Sequence, residues 1–410
     1  MAHQIMLILY LVCFSSATAF FSVAFYSLLK SSIDFTSCAS TPKYQELPSS
    51  CAELCNGFDD RGSKLFHSWS DEELLERAIS TEMKRIHAME TDKKRKANRS
   101  VAFSFSPESD SSASSTSLSP QLAPNSACQK SYSLVASGGK PKVAFMFLTR
   151  GKLAFLPLWN RFFHGHEDLY NIYVHLDPFR VGVFDRNNSG VFWGRLIPPG
   201  ITERGAPSLA AAMRRLLANA LLDDPFNQYF AVISDSCIPL RSFATVYDRL
   251  IASDKSFIEI LREGPTLPSR YASRGGAAVM LPEVPFSNFR VGSQFFILTR
   301  NHTLSIVSDS MIWSKFSTPC SYKNDCFVEE HYFPTLIDMT DGNCATRFTV
   351  TNVDWSVIAK NGHPRTYQEQ QITQELISSL RRNGTFLFGR KFAGTCLKPL
   401  LKLTPFLFEE

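Results

Sequence analysis

Two adjacent glutamates, Glu329 and Glu330, head the apolar stretch CFVEEHYFPTLI (326–337). A carboxylate beside buried aromatic rings is costly to ionise unless something compensates it. Two roles suit such a pair: acidic residues at a helix start, where they complement the macrodipole, or a general base at the rim of a pocket. Adjacent helical residues point ~100° apart, so only one can face a given substrate atom. Proline is easily accommodated only in a helix's first turn, so Pro334 predicts a helix that begins close to the glutamates or kinks there. Further along, HPRTY (363–367) and FLFGRKFAG (386–394) supply Arg365 and Lys391. Long cationic side chains often lie along apolar surface with the charge in water. As a pair these two could instead hold a diphosphate and neutralise it as it leaves, a task often given to a divalent metal. HLDP (175–178) and SDSC (234–237) each offer a single aspartate, Asp177 and Asp235. A lone strand-end aspartate suits a nucleotide or turn contact, and no metal site is expected.

The elements that must position these groups are readable from the apolar pattern. KVAFMFLTRG (142–151) is a continuous apolar run ending in turn residues, the pattern of a strand buried on both faces. IYVHLD (172–177), YFAVISDS (229–236), FIEIL (257–261), SQFFILT (293–299) and RFTVTNV (347–353) follow. SLAAAMRRLLANALLDD (208–224) and FATVYDRLIAS (243–253) separate several of them as helices. The alternation predicts an α/β domain with a mainly parallel sheet flanked by helices. Ligands of such sheets bind beyond the carboxyl ends of the strands, which puts Thr149, Arg150, Asp177, Ser234 and Asp235 near any ligand. GxGxxG after the first strand, GxxxxGK[ST], HExxH and GxSxG are all absent from the sequence.

Outside this body the chain changes character. Ile5–Leu29 carries no charge, and about 25 residues at ~1.5 Å rise cover roughly 37 Å, enough for a ~30 Å hydrocarbon core. A retained anchor with a short cytosolic tail (1–4) and a luminal body is expected. The competing reading is a signal peptide cleaved after Ala19 in the small-residue stretch Ala17-Thr18-Ala19. Residues 30–140 read as a stem. Ser70 followed by Glu73 starts a helical stretch there, and the Ser/Pro tract 104–127 is too poor in apolar residues to order itself. The net charge of +5 is modest and much of it sits in KKRKANR (93–99), which argues against a nucleic-acid-binding face. Nine cysteines follow the anchor without paired CxxC motifs, so structural zinc is not expected, and the odd number leaves one free or paired between chains in an oxidising compartment. Asn98, Asn187, Asn301 and Asn383 begin N-glycosylation sequons, consistent with a luminal body.

In order, VAFMFLTRG, LYNIYVHLDP, SLAAAMRRLL, YFAVISDSCIPL, GSQFFILTR, VEEHYFPTLI, VDWS, HPR and FGRKFA make the chain resemble the core-2/I-branching β-1,6-N-acetylglucosaminyltransferase family, most closely its plant branch. The resemblance covers roughly residues 140–395, and WSDEELLERA (69–78) resembles a segment upstream of the domain in plant members. It implies a type II Golgi membrane protein with a type A glycosyltransferase fold (residues 141–410). Such an enzyme transfers a sugar, N-acetylglucosamine or another, from a UDP-sugar to a glycan or glycoprotein hydroxyl, with inversion and without a bound metal. By the same resemblance Glu330 is the catalytic base and Glu329 is structural or an acceptor contact. Arg365 and Lys391 hold the UDP diphosphate, Trp355 of VDWS lies on the acceptor side, and Asp177 and Asp235 approach the nucleotide. Specificity is expected in 264–292, which includes the glycine-rich SRGGAAVM (273–280). The alternative is a non-catalytic Golgi protein that uses the same fold as a binding or scaffolding module.

Overall fold

The structure is a computed structural model and describes Leu65, residues 67–102, Cys128 and residues 139–409, apart from 178–187, 322–325, 357–362 and 383. The expected tail and anchor (1–29), the Ser/Pro tract (104–127) and the sequons at Asn187 and Asn383 lie outside the described residues. Among the described residues no helix is long and apolar enough to cross a membrane.

In chain order the principal elements are α1 (Asp71–Ala102), β1 (Lys142–Thr149), α2 (Leu156–Phe163), β2 (Tyr170–Leu176), α3 (Pro207–Asp223), β3 (Asn227–Ser234), β4 (Ile238–Pro239), α4 (Phe243–Ala252), β5 (Ser256–Glu259) and α5 (Leu267–Ala272). They continue with β6 (Ile297–Thr299), α6 (Arg300–Ser308), α7 (Met311–Phe316), α8 (Val328–Asp341), β7 (Ala345–Arg347), β8 (Thr351–Val353), α9 (Gln374–Arg381) and β9 (Phe388–Arg390).

β1 lies between β2 and β3, parallel to both. Its alternating side chains serve two layers. Phe145 and Phe147 meet Phe163 and Trp159 of α2 edge to face on one side. On the other, Met146 is in register with Tyr173, whose hydroxyl donates to Asp223 at the end of α3. Helices therefore cover both faces, and both faces of β1 must be apolar. The sheet order is β2-β1-β3-β6-β5-β7, with β6 antiparallel to both neighbours and β7 parallel to β5. The α/β expectation of a mainly parallel sheet holds, with β6 reversed. RFTVTNV divides: Arg347 has a left-handed φ of 64°, and the chain passes from β7 into β8 of a second sheet, order β4-β9-β8.

Helix α1 departs from the stem expectation. Ser70 Oγ accepts the Glu73 N–H at 3.1 Å, as its spacing predicted. Leu74, Ala78 and Glu82, spaced four apart on one face, are buried. Glu82 accepts from Arg300 Nε at 2.7 Å and Nη2 at 2.6 Å. Arg300 also donates to the carbonyls of Leu221, Asp224 and Asn227. The helix is thus part of the body, because its inner face carries the counter-charge for a buried arginine. Disulfides join Cys128 to Cys344 and Cys320 to Cys326, while Cys237 and Cys396 are free and buried.

Removing one partner of a buried ion pair leaves an uncompensated charge. Glu82→Ala should therefore destabilise the protein by about 3–5 kcal/mol, measured by chemical denaturation. A loss no larger than that of an exposed α1 substitution would show that the helix only rests on the body.

Candidate active site

Helix α8 starts at Val328, preceded by Phe327 with a left-handed φ of 43°. The glutamates thus sit in its first turn, as expected, but Pro334 lies inside the helix. A proline at this position has no N–H for the carbonyl four residues back, that of Glu330. The Gly292 N–H donates to that carbonyl instead, at 2.8 Å. A Cβ on Gly292 would fall 2.0 Å from the Glu259 carbonyl oxygen, so glycine is required by the close approach. The same strand-like segment stays paired along α8. Arg290 N–H donates to Thr335 Oγ1 at 3.0 Å, and His331 Nδ1 contacts the Arg290 carbonyl at 2.7 Å.

The carbonyl can only accept, so His331 carries its proton on Nδ1 and offers Nε2 as an acceptor. Arg270 of α5 donates to Glu330 Oε2 at 2.8 Å and lies 3.4 Å from His331 Nε2. Its guanidinium also covers the Phe327 ring at 4.4 Å. Burial, with Arg270 and Arg274 nearby, pushes His331 down to about 3, so it stays neutral. Glu330 is fixed from one side by Arg270, and makes no other side-chain hydrogen bond to the described residues. Burial raises its pKa even though Arg270, Arg204 and Arg390 all oppose the shift.

Glu329 is different in kind. It is 1% exposed, Oε1 accepts the Gly205 N–H at 3.3 Å, and Oε2 is buried without a hydrogen-bond partner among the described residues. Burial and the neighbouring Glu330 push its pKa up to about 7. Its placement corrects the acceptor-contact reading: α8 turns this side chain inward, where it holds the 197–206 loop. Glu259, at the end of β5, is a third carboxyl group, raised by burial and by Glu330. Glu259 sits in FIEIL like any strand residue, so nothing in the local sequence marks it.

The cations arrive by backbone pairing. β9 pairs with β4, and the Phe392 N–H donates to the Ser236 carbonyl at 3.1 Å, so Arg390 and Lys391 lie beside Asp235. Burial lowers the Lys391 pKa, Arg390, Arg150 and Arg204 add to the shift, and Asp235 opposes it. Arg390 stacks on Phe295 at 3.9 Å, has an unpartnered buried Nε, and is under the influence of Asp235 and Glu330. Burial and the same group, Arg204, Lys391, Arg150 and Arg390, push His363 down to about 4. Arg365 enters from the adjacent segment: Tyr367 N–H donates to the Lys391 carbonyl at 2.8 Å, while the Arg365 side chain lies 3.8 Å from Asp354 and covers Tyr367. Of these, Arg150 was expected at a strand end. Arg390 and His363 lie within FGRKFA and HPR, and Arg204 and Arg270 carry no motif at all.

Asp177 is buried at the end of β2, its N–H donating to the Thr149 carbonyl at 3.4 Å. Trp355, next to Asp354, is 52% exposed. Asn301 is exposed on α6, although Thr303 of its sequon is buried; the Asn98 side chain lies outside the described residues. Among the described residues no group of three or more His, Cys, Asp or Glu is arranged to hold a metal ion.

In a mainly parallel α/β sheet the ligand crevice lies beyond the carboxyl ends of the strands, and here the first turn of α8 and a cationic cluster are the charged groups of the candidate site. The family description Core-2/I-Branching enzyme matches residues 143–381, more than half of the chain. Glycosyltransferase BC10 of Oryza sativa subsp. japonica is 30% identical over 316 residues, 65% of this chain and 77% of that protein. Among solved structures, apo mouse xyloside xylosyltransferase 1 overlaps 60% of this chain and 97% of its own, with a TM-score of 0.27 at 8% identity, too distant to support an argument. The chain belongs to the core-2/I-branching enzyme family of glycosyltransferases, in its plant branch.

Glu329 makes stability depend on pH. Its folded pKa of about 7 lies above the ordinary 4.5, so the unfolded chain releases this proton first. The resulting penalty is absent below about pH 4.5, grows as pH rises towards 7 and is constant above. Glu329→Gln should remove it, raising stability at pH 8 by on the order of 2–3 kcal/mol and flattening the curve between the two limits. Denaturation series from pH 4.5 to 8 on both proteins check this; parallel curves would mean Glu329 is ionised in the fold.

Proposed function

We propose that the protein is an inverting glycosyltransferase that moves a sugar from a UDP-sugar to a hydroxyl of a glycan or glycoprotein acceptor. The observation that carries this reading is the pairing of Glu330, raised by burial yet held by Arg270, with the cations that converge near Lys391 and His363. Inversion in one displacement forms a bond from the acceptor oxygen to the anomeric carbon while the bond to the diphosphate breaks. The acceptor proton goes to the Glu330 carboxylate. A base works best with its pKa drawn towards the operating pH, and burial does this for Glu330. Arg270 keeps the carboxylate in one orientation. Arg150, Arg390 and Lys391, with Arg204 and Arg365 beside them, would neutralise the departing diphosphate by direct charge, the role a metal has elsewhere. Asp177 and Asp235 lie on the nucleotide side of this arrangement, and Trp355 and the 264–292 segment on the acceptor side. The proposed setting is the Golgi membrane, with residues 5–29 as the anchor and the body luminal.

Titration calorimetry of UDP with and without EDTA tests the donor site. Micromolar binding that survives EDTA is expected, and Lys391→Ala should weaken it by about tenfold or more, the worth of a hydrogen bond to a charged group. Binding abolished by EDTA would replace the cationic clamp with a metal site. Glu330→Gln should bind UDP normally but lose about 10²–10⁴ in turnover, on the order of 3–5 kcal/mol in barrier. Wild-type transfer rates in that variant would remove Glu330 from the chemistry.

A further inference from the structure

The helix that precedes the family-matched residues reaches the nucleotide side of the sheet. Asp71, in the first turn of α1, takes both ends of the Arg215 fork: Oδ1 accepts from Nε at 2.5 Å and Oδ2 from Nη2 at 2.6 Å. The remaining arm of Arg215, Nη1, lies 3.1 Å from His175 Nε2. Arginine can only donate, so His175 accepts through Nε2 and keeps its proton on Nδ1, which is buried without a hydrogen-bond partner among the described residues. His175 is fully buried near the carboxyl end of β2, and Asp177 follows it on the same face, two residues on.

Arg215 also braces the loop that crosses the site. A Cβ on Gly200 would fall 2.1 Å from Arg215 Nη1, so this loop packs directly on the guanidinium. The loop is tied to β2 by the Val174 N–H to the Arg195 carbonyl and by the Ile197 N–H to the Val174 carbonyl. Five residues beyond Gly200, the Gly205 N–H donates to Glu329, and Arg204 covers the Phe327 ring at 5.4 Å. One guanidinium therefore touches the strand that ends in Asp177 and the loop that carries Arg204. The second ion pair of α1, Glu82 with Arg300, is at the opposite end of the sheet, where Arg300 meets the carbonyl of Asn227, the first residue of β3.

We propose that Asp71 is a positioning residue for the donor site: through Arg215 it fixes the end of β2 and the 195–205 loop in the arrangement that receives the UDP diphosphate. The proposal rests on the donor-site reading above and adds to it a contribution from outside the matched domain. It predicts that two ion pairs joining this helix to the body, Asp71 with Arg215 and Glu82 with Arg300, separate in function. In the full-length protein, Asp71→Asn should weaken UDP binding by about fivefold or more, within the range of coupling carried by packed networks. Asp71→Glu, which keeps the carboxylate, should recover most of it. Glu82→Gln should lower the melting temperature yet leave UDP affinity within about twofold of wild type. Should Asp71→Asn fail to fold, Arg215→Lys keeps the charge without the fork and is expected to show the same loss. UDP affinity in folded Asp71→Asn or Arg215→Lys within about twofold of wild type would overturn the proposal while leaving the donor site standing. Wild-type protein that does not bind UDP would overturn the donor site, and the proposal with it.

Discussion

The site depends on a hydrogen bond that a proline makes necessary. An interior proline costs a helix one donor and about 3 kcal/mol or more, and at Pro334 the orphaned acceptor is the carbonyl of Glu330 itself. Gly292 supplies the donor, and it can do so only because it lacks the Cβ that would strike the Glu259 carbonyl. Three segments are thereby locked at backbone distance: the end of β5, the 290–292 segment and the first turn of α8. From this follow the proximity of Glu259 to Glu330, the proton position on His331 and the availability of Arg270 to hold Glu330 from one side.

The electrostatics of that cluster are decided by which effect is larger at each carboxyl group. Two unit charges 4 Å apart attract by about 4 kcal/mol at an effective dielectric near 20, and Glu330 has several guanidinium groups in reach. Burial still wins, and its pKa rises. At Glu329 the neighbouring Glu330 adds to burial, the Gly205 N–H and Arg204 oppose it, and the pKa rises to about 7. The two neighbours thus divide the labour that their adjacency raised as a puzzle. One is a solvent-side carboxylate with a fixed orientation; the other is a buried acid that tethers a loop.

Much of this was legible in the sequence, and the residues that were not show why. β1 is read correctly because a strand buried on both faces must be apolar throughout. Glu330 and Lys391 stand out because charge in an apolar setting is conspicuous. Arg270, Arg204 and Arg215 are invisible, since an arginine acquires its meaning from a partner about 60 to 140 positions away, and no local period records that pairing. Glu82 was hidden for the same reason: in a highly charged, amphipathic helix it looks like one more solvated residue, yet it meets the charge of Arg300 inside the body. Gly292 reads as a turn until the Glu259 carbonyl is placed against it.

The two sides of the site are built to different tolerances. Lys391 and Arg390 reach Asp235 through backbone pairing of β9 with β4 and of Phe392 with Ser236, so the cations are set by main-chain hydrogen bonds between neighbouring strands. Strand-borne groups keep their positions better than loop-borne ones. The other side is held by the short α5, the glycine pair Gly275 and Gly276 with φ of 109° and 122°, and the disulfide between Cys320 and Cys326. Loops are where sequence can vary without unfolding a domain. Under the function proposed above, in which the donor always presents the same diphosphate while acceptors differ, the enzyme gains from this asymmetry. The strand-built side can stay constant, and the loop side can be recast around Glu330 as long as Gly292 and Arg270 keep that glutamate in place.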